Sequence, residues 1–365
     1  MTLATTSPSM PPPRVEGGFL ARLRQRLFST WFDALVTLAF GALVVWVAWR
    51  VIDWAFVDAV WTVAQRSRCH AGRSGACWAV LAARGRLILF GLYPHDQHWR
   101  SSLACLAIVL TIGLSFVPRF WGLKRLPALW FVGFGTFIAL MYGGVFGLDV
   151  VTTEKWGGLS LTVLIFAAVV MIGTPLAVAL ALARRSKLPV VRGLAGLLID
   201  VVRSLPLLTI LFTAAVVVPL VLPDWAQGDK LVRVILAYAL FFACYQAEII
   251  RAGMQAIPPG QEEATAALGM KYWSRVFDIL LPQAFRYSLP STINQFVITF
   301  KETSIVTIIG FFELMASGNA AIGTGNWAGQ YVEVYVFVAL IYFVFVFGLS
   351  RYGAYLERRA RLRNV

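Results

Sequence analysis

An all-α polytopic membrane protein with about eight transmembrane helices is the fold class this chain predicts, on three observations. Of its 365 residues, 59% are apolar and 14% charged, against roughly half and a quarter in a soluble domain. Low-charge windows recur at 34–52, 101–117, 127–148, 157–183, 204–222, 231–250, 291–312 and 331–350, each close to the roughly 20 apolar residues that cross a bilayer. Third, the basic residues are sorted. With a cytoplasmic N-terminus, the inner segments (up to 33, 118–126, 184–192, 252–290 and 351 onward) hold 19 Lys and Arg and the outer ones 9. That asymmetry obeys the positive-inside rule and puts both termini in the cytoplasm. The net charge of +14 is then topology, and no nucleic-acid partner is needed to explain it.

The elements follow in chain order. Residues 1–32 form a cytoplasmic tail whose prolines and hydroxyl residues predict partial disorder. No small-residue cleavage site follows the first window, so it reads as an uncleaved anchor. Residues 33–152 make an N-terminal extension of three spans with an outer loop, 53–100, whose six arginines run against the charge rule. Cys69 and Cys77 share that loop, bridged if it faces an oxidising compartment and free if it does not. With His70, His95 and His98 they fit no zinc spacing, so no metal is expected.

From 155 to 355 the charges inside apolar stretches become informative. Arg203 opens an uncharged run with Pro206 near a helix start; it is either a lipid-phosphate anchor or part of a gate. Glu248 and Arg251 sit three apart on one helical face, as an intrahelical pair or as a brace for the loop that follows. Pro258, Pro259 and Gly260 end that helix. Gln261 to Leu268 is rich in helix formers, with Gly269 as a left-handed stop. Trp273, Val276, Phe277 and Leu280 give a second short helix an apolar face, ended by Pro282.

Further on, Gln295, Thr299 and Glu302, with Asn294 and Lys301 beside them, draw a polar stripe on an apolar helix. Counted from 291, Lys301 lies about 15 Å along that helix, near mid-membrane, where a charge costs roughly 2.5–3.5 kcal/mol. The stripe, with Thr303 and Ser304, is either a neutralised interhelical pair or the lining of a translocation path.

The spacing of Glu263, Ala264, Thr265, Gly269, Ile279, Leu281 and Pro282, opened by Gly260, resembles the EAA loop of ABC importer permeases, with threonine in place of the second alanine. Trp156 to Leu159 with Thr162, Arg203 to Leu207, Tyr245 to Gln261, and Lys301 to Ser304 are similar to the polar amino-acid (HisM-like) branch. The three earlier spans, Gly75 to Val80 and Gly91 to Pro94 resemble the AapM-type subunit of general L-amino-acid transporters. The resemblance implies a type I ABC importer transmembrane domain over 155–355, with an EAA coupling loop at 257–286 seated in a cytoplasmic ATPase. It also implies a homologous permease subunit as heterodimer partner, an ABC ATPase dimer that holds ATP-Mg, a periplasmic amino-acid-binding protein, and uptake of L-amino acids across the bacterial inner membrane.

The chain has no Gly-Lys dipeptide and so no phosphate-binding GxxxxGK loop; it is expected to be a transport subunit without its own ATPase site or bound cofactor. An ion-coupled secondary amino-acid transporter is the alternative, and would show internal repeats. A membrane enzyme would need clustered His, Asp or Ser groups, and all three histidines lie in one loop.

Overall fold

The computed structural model describes residues 23, 27–70, 75–120, 122, 124–145, 147–323, 325–327 and 329–362. The tail 1–22 lies outside them. The chain divides into compact units at residues 79 and 80.

In the first unit, helix α1 (Trp31–Ile52) starts at a capping box: Asp33 N donates to Thr30 Oγ1, and Thr30 N to Asp33 Oδ2. This satisfies two backbone donors that a helix start would otherwise leave open. None of its residues is buried, as suits a helix whose apolar surface is solvated by lipid. Past Asp53 the backbone widens into a π turn, Asp53–Val57. The following segment folds back on itself. Ala76 N donates to Trp54 O, Val60 N to Ala76 O and Trp78 Nε1 to Ala55 O, all within 2.8 Å. The Trp61 and Trp78 rings stack, and Cys69 and Cys77 form a disulfide.

The second unit is a helical bundle. The expected outer loop contains a helix, α2 (Ala79–Phe90), and is not irregular throughout. Helices α3 (His98–Ser115) and α4 (Arg125–Tyr142) pack against each other. They close tightly enough that a Cβ on Gly133 would lie 2.1 Å from Thr111 Oγ1. Arg100, expected in the loop, is instead buried in the first turns of α3. Its Nε donates to Leu140 O and its Nη1 to Asp149 O and Gln97 Oε1. The guanidinium thus takes up one carbonyl at the C-terminal end of α4, where cations are favoured, and another in the loop beyond it.

The core of the bundle follows. α5 (Gly158–Arg184) runs against α8 (Lys230–Gln255), which also packs on α10 (Leu281–Glu302); α12 (Tyr331–Leu362) covers α10. Small residues sit at the crossings, as they do where lipid-solvated helices must approach closely. A Cβ on Gly173 would meet Phe242 Cδ1 at 2.4 Å, and one on Gly253 would meet Ala284 O at 2.4 Å. Between α5 and α8 come α6 (Pro189–Ser204) and α7 (Leu207–Phe212, continued by a π turn and Val218–Val221). They bend by 103° at Leu205 and Pro206. Pro206 has no N–H to carry the ladder across, so the chain turns there.

Among the described residues six helices are long and apolar enough to cross a membrane, and the bent pair adds a seventh. The expected span at 291–312 is the exception. Its helix begins ten residues earlier, carries the polar stripe, and tightens at Thr303–Ile309 into a 3-10 helix. Lys301 therefore occupies the last turn of a 22-residue helix and not its middle.

Candidate functional site

Helix α9 (Pro259–Ala267) stands in the turn between α8 and α10. Pro259 is at its start, where a missing N–H costs nothing. Its end is closed twice: Met270 N donates to Thr265 O and Gly269 N to Ala266 O, with Gly269 at φ +68°. This is the Schellman closure that favours glycine. Space is not the reason, since nothing lies within 4 Å of an added Cβ. Thr265 is the helix's one buried residue, its hydroxyl donating to Glu262 O at 2.9 Å. Gly260, Glu263, Ala264 and Leu268 are exposed, so the helix projects a small-residue face outward.

The second half of the motif does the packing. Leu281 is buried and Ile279 half-buried, while Pro282 is exposed. Pro282 does not break the helix as expected. A π turn at Arg275–Leu280 runs straight into α10, with Pro282 in its first turn; the widened turn accommodates the ring and the lost donor. The apolar face is also split. Val276 and Leu280 are buried, whereas Trp273 and Phe277 stack on each other in the open, centroids 5.7 Å apart. A cleft of about 1120 Å³ separates this turn from the end of α5, lined by Val178, Leu182, Lys187, Glu263, Trp273 and Phe277 among others. Arg185 Nη2 crosses to Glu262 at 3.1 Å, and Gln283 Nε2 donates to Gln261 Oε1 at 2.7 Å.

Glu248 proves to be a hub and more than one half of a pair. Arg251 Nη2 reaches it at 2.8 Å, Arg184 Nη1 at 3.3 Å and Arg203 Nη1 at 3.9 Å, while Arg184 also holds Asp200 at 2.9 Å. Arg203 lies over the Tyr245 ring, and Tyr245 Oη donates to the Arg203 carbonyl. The ends of α5, α6 and α8 are thus tied through one carboxylate, directly before the coil leading to α9.

The polar stripe is divided by the packing. Gln295, Thr299 and Thr303 are buried within the bundle, Glu302 and Ser304 are half-buried, and Asn294 and Lys301 are exposed. Tyr238 Oη donates to Thr299 O at 2.8 Å and approaches Glu302 Oε2 at 3.5 Å. Gln246 Nε2 donates to Thr292 Oγ1 at 2.9 Å.

A further acid was not foreseen. Glu313, with no exposure, caps α11 (Leu314–Ile322). Its Oε1 accepts from Thr307 Oγ1 at 2.5 Å, Met315 N at 2.9 Å and Ala316 N at 3.0 Å, while Oε2 accepts from Tyr342 Oη at 3.1 Å and Thr162 Oγ1 at 3.3 Å. The available signal was a lone acid in the apolar run Phe311 to Met315, but glutamate is an uncommon N-cap. Thr162 belongs to the Trp156–Gly157–Gly158 stretch, where Gly158 N donates to Phe312 O at 2.8 Å. No group of three or more His, Cys, Asp or Glu converges as a metal site would require, among the described residues.

Residues 173–362 match the family described as binding-protein-dependent transport system inner membrane component. The chain belongs to this family. This permease is 41% identical over 349 residues to the inner membrane amino-acid ABC transporter permease protein YhdY of Escherichia coli (strain K12), with 92% of each chain covered. It is 32% identical to the glutamate/glutamine/aspartate/asparagine transport system permease protein BztC of Rhodobacter capsulatus, with 96% of each covered. The glutamate/aspartate import permease protein GltK of Escherichia coli O6:H1 aligns with 55% of this permease at 34% identity, over 91% of its own length. YhdY and BztC therefore match the long N-terminal part as well. This permease is a multi-span membrane subunit of an ABC importer, and ATP hydrolysis belongs to a separate subunit. The ion-coupled alternative finds no support among the relatives.

Proposed function

We propose that this permease takes up L-amino acids delivered by a periplasmic binding protein, and that α9 couples it to an ATPase dimer holding ATP-Mg. The assignment divides the chain into a tail, 1–32, an extension, 33–152, and a transport domain, 155–355, with the coupling loop at 257–286 and both termini cytoplasmic. A homologous permease completes a heterodimer. The supporting observation is the outward face of α9, closed by Gly269 and carrying exposed Glu263 and Ala264, with Ile279 half-buried just before α10 and buried Leu281 and exposed Pro282 opening it. Closure of the ATPase would stabilise one arrangement of the helices over another, transmitted through Glu262–Arg185 and the Glu248 hub to Arg203 and the Pro206 bend. Expected in the Glu263→Lys and Gly269→Asp variants is loss of co-purifying ATPase and of ATP-driven uptake in reconstituted vesicles. Undiminished recovery and uptake in both would remove the coupling role.

Lys301 and Glu302 offer opposite charges in one turn of α10, complementary to an amino acid's carboxylate and ammonium. With Asn294, Gln295, Thr299, Thr303 and Ser304 they are assigned to the translocation path. Lys301→Ala is expected to assemble with the ATPase normally yet lower uptake at least tenfold. Wild-type uptake of every amino acid in a panel would take Lys301 out of the path.

A further inference from the structure

A second cleft, of about 600 Å³, opens between the ends of α5 and α8 and the body of α6, lined by Arg184, Arg185, Arg192, Arg251, Asp200 and Leu197 among others. Four guanidinium groups thus face one lining carboxylate. Three of them are engaged, Arg184 by Asp200 and Glu248, Arg251 by Glu248 and Arg185 by Glu262. The Arg192 guanidinium has no hydrogen bond or ion pair among the described residues. Each guanidinium carries five donors, so the cleft retains donors suited to a singly or doubly charged oxyanion.

The cleft also has an apolar edge. Val190, Leu194, Leu197 and Val201 recur at i, i+4, i+7 and i+11 along α6, with 69%, 64%, 62% and 48% of their surface exposed. Ala195, Ile199 and Val202 hold the buried side of the same helix. Leu197 belongs to both the stripe and the cleft, so the basic cavity continues directly into an apolar ribbon. A ligand that fills both is an amphiphile with an anionic head. We propose that this cleft binds the phosphate headgroup of an anionic phospholipid whose acyl chains lie along the exposed stripe of α6. Basic pockets between membrane helices favour such headgroups.

The experiment uses the assembled transporter in mild detergent, incubated with phosphatidylglycerol or phosphatidylcholine and examined by native mass spectrometry. Phosphatidylglycerol is expected to be retained in preference. Arg192→Gln should weaken retention about fivefold, the factor that one cation beside an anionic lipid surface contributes. Gly196→Glu should abolish it: Gly196 lines the cleft and nothing lies within 4 Å of an added Cβ, so the new carboxylate enters without displacing packing. Gly196→Ala, the control, should retain lipid as the native chain does. Equal retention of the two lipids, or undiminished retention in Gly196→Glu, would overturn the proposal. So would inorganic phosphate that binds at the cleft while phosphatidylglycerol does not. The readout is lipid bound and not uptake, so it stands apart from the coupling test.

Discussion

Gly158→Ala is expected to lower the yield of folded protein from membranes and its thermal unfolding temperature sharply, whereas Gly228→Ala should lower both by less. The two glycines have nearly the same φ, +61° and +60°. At Gly228 nothing lies within 4 Å of an added Cβ, so the cost is that of the backbone alone, φ +60° and ψ −171°, a region nearly confined to glycine and worth about 1–3 kcal/mol. At Gly158 the same methyl would stand 2.1 Å from Leu89 O and 2.6 Å from Phe90 N. Those are backbone atoms at the end of α2, and no rotamer change moves them. Adding an overpacking penalty of about 1–3 kcal/mol brings the expected loss to roughly 2–6 kcal/mol. Thermal unfolding in detergent, with both variants beside the native chain, measures the difference. Equal shifts would mean that the junction yields and the contact is unimportant.

Glu313→Ala should destabilise the transport core by roughly 3–5 kcal/mol, and Glu313→Gln by about 1–2 kcal/mol. Alanine strands the donors of Thr307, Met315, Ala316 and Tyr342 in a site with no exposure. A buried donor left without a partner costs about 1–3 kcal/mol, and a lost N-cap about 1 kcal/mol. Glutamine keeps one acceptor for the two backbone N–H groups and Thr307. Its amide can donate to Tyr342 and Thr162, whose hydroxyls rotate to accept. Unfolding temperature ranks the three forms, and glutamine no better than alanine would show that the negative charge itself is required.

Hydropathy made most of this fold legible, because six helices hold uninterrupted apolar runs. It failed where polarity and helix coincide. α10 was read as starting at 291 because Arg286 and Pro282 looked like loop, yet proline in a first helical turn costs little and the π turn before it absorbs the irregularity. Arg100 falls just outside its apolar window, and only tertiary packing brings the carbonyls of Leu140 and Asp149 to it. In the candidate site the spacing 263 to 282 was readable because it is local. The three-arginine environment of Glu248 and the division of the 294–304 stripe depend on which neighbours arrive from elsewhere in the chain, which no periodicity records.

Gly91 meets Gly157 and Gly158 about 66 residues on, and Gly157 and Gly158 meet Phe312 O more than 150 residues further, through main-chain atoms alone. A joint without side chains has no rotamers to give, so it acts as a weld. The helices meeting there form a stator, and any working stroke of the machine has to be taken up elsewhere. The bend at Leu205 and Pro206 is the obvious bearing, since the helical ladder is already interrupted there. A spectroscopic ruler attached beside residue 91 and another on α5 should hold a constant length through the whole transport cycle, while one spanning α6 and α7 should not.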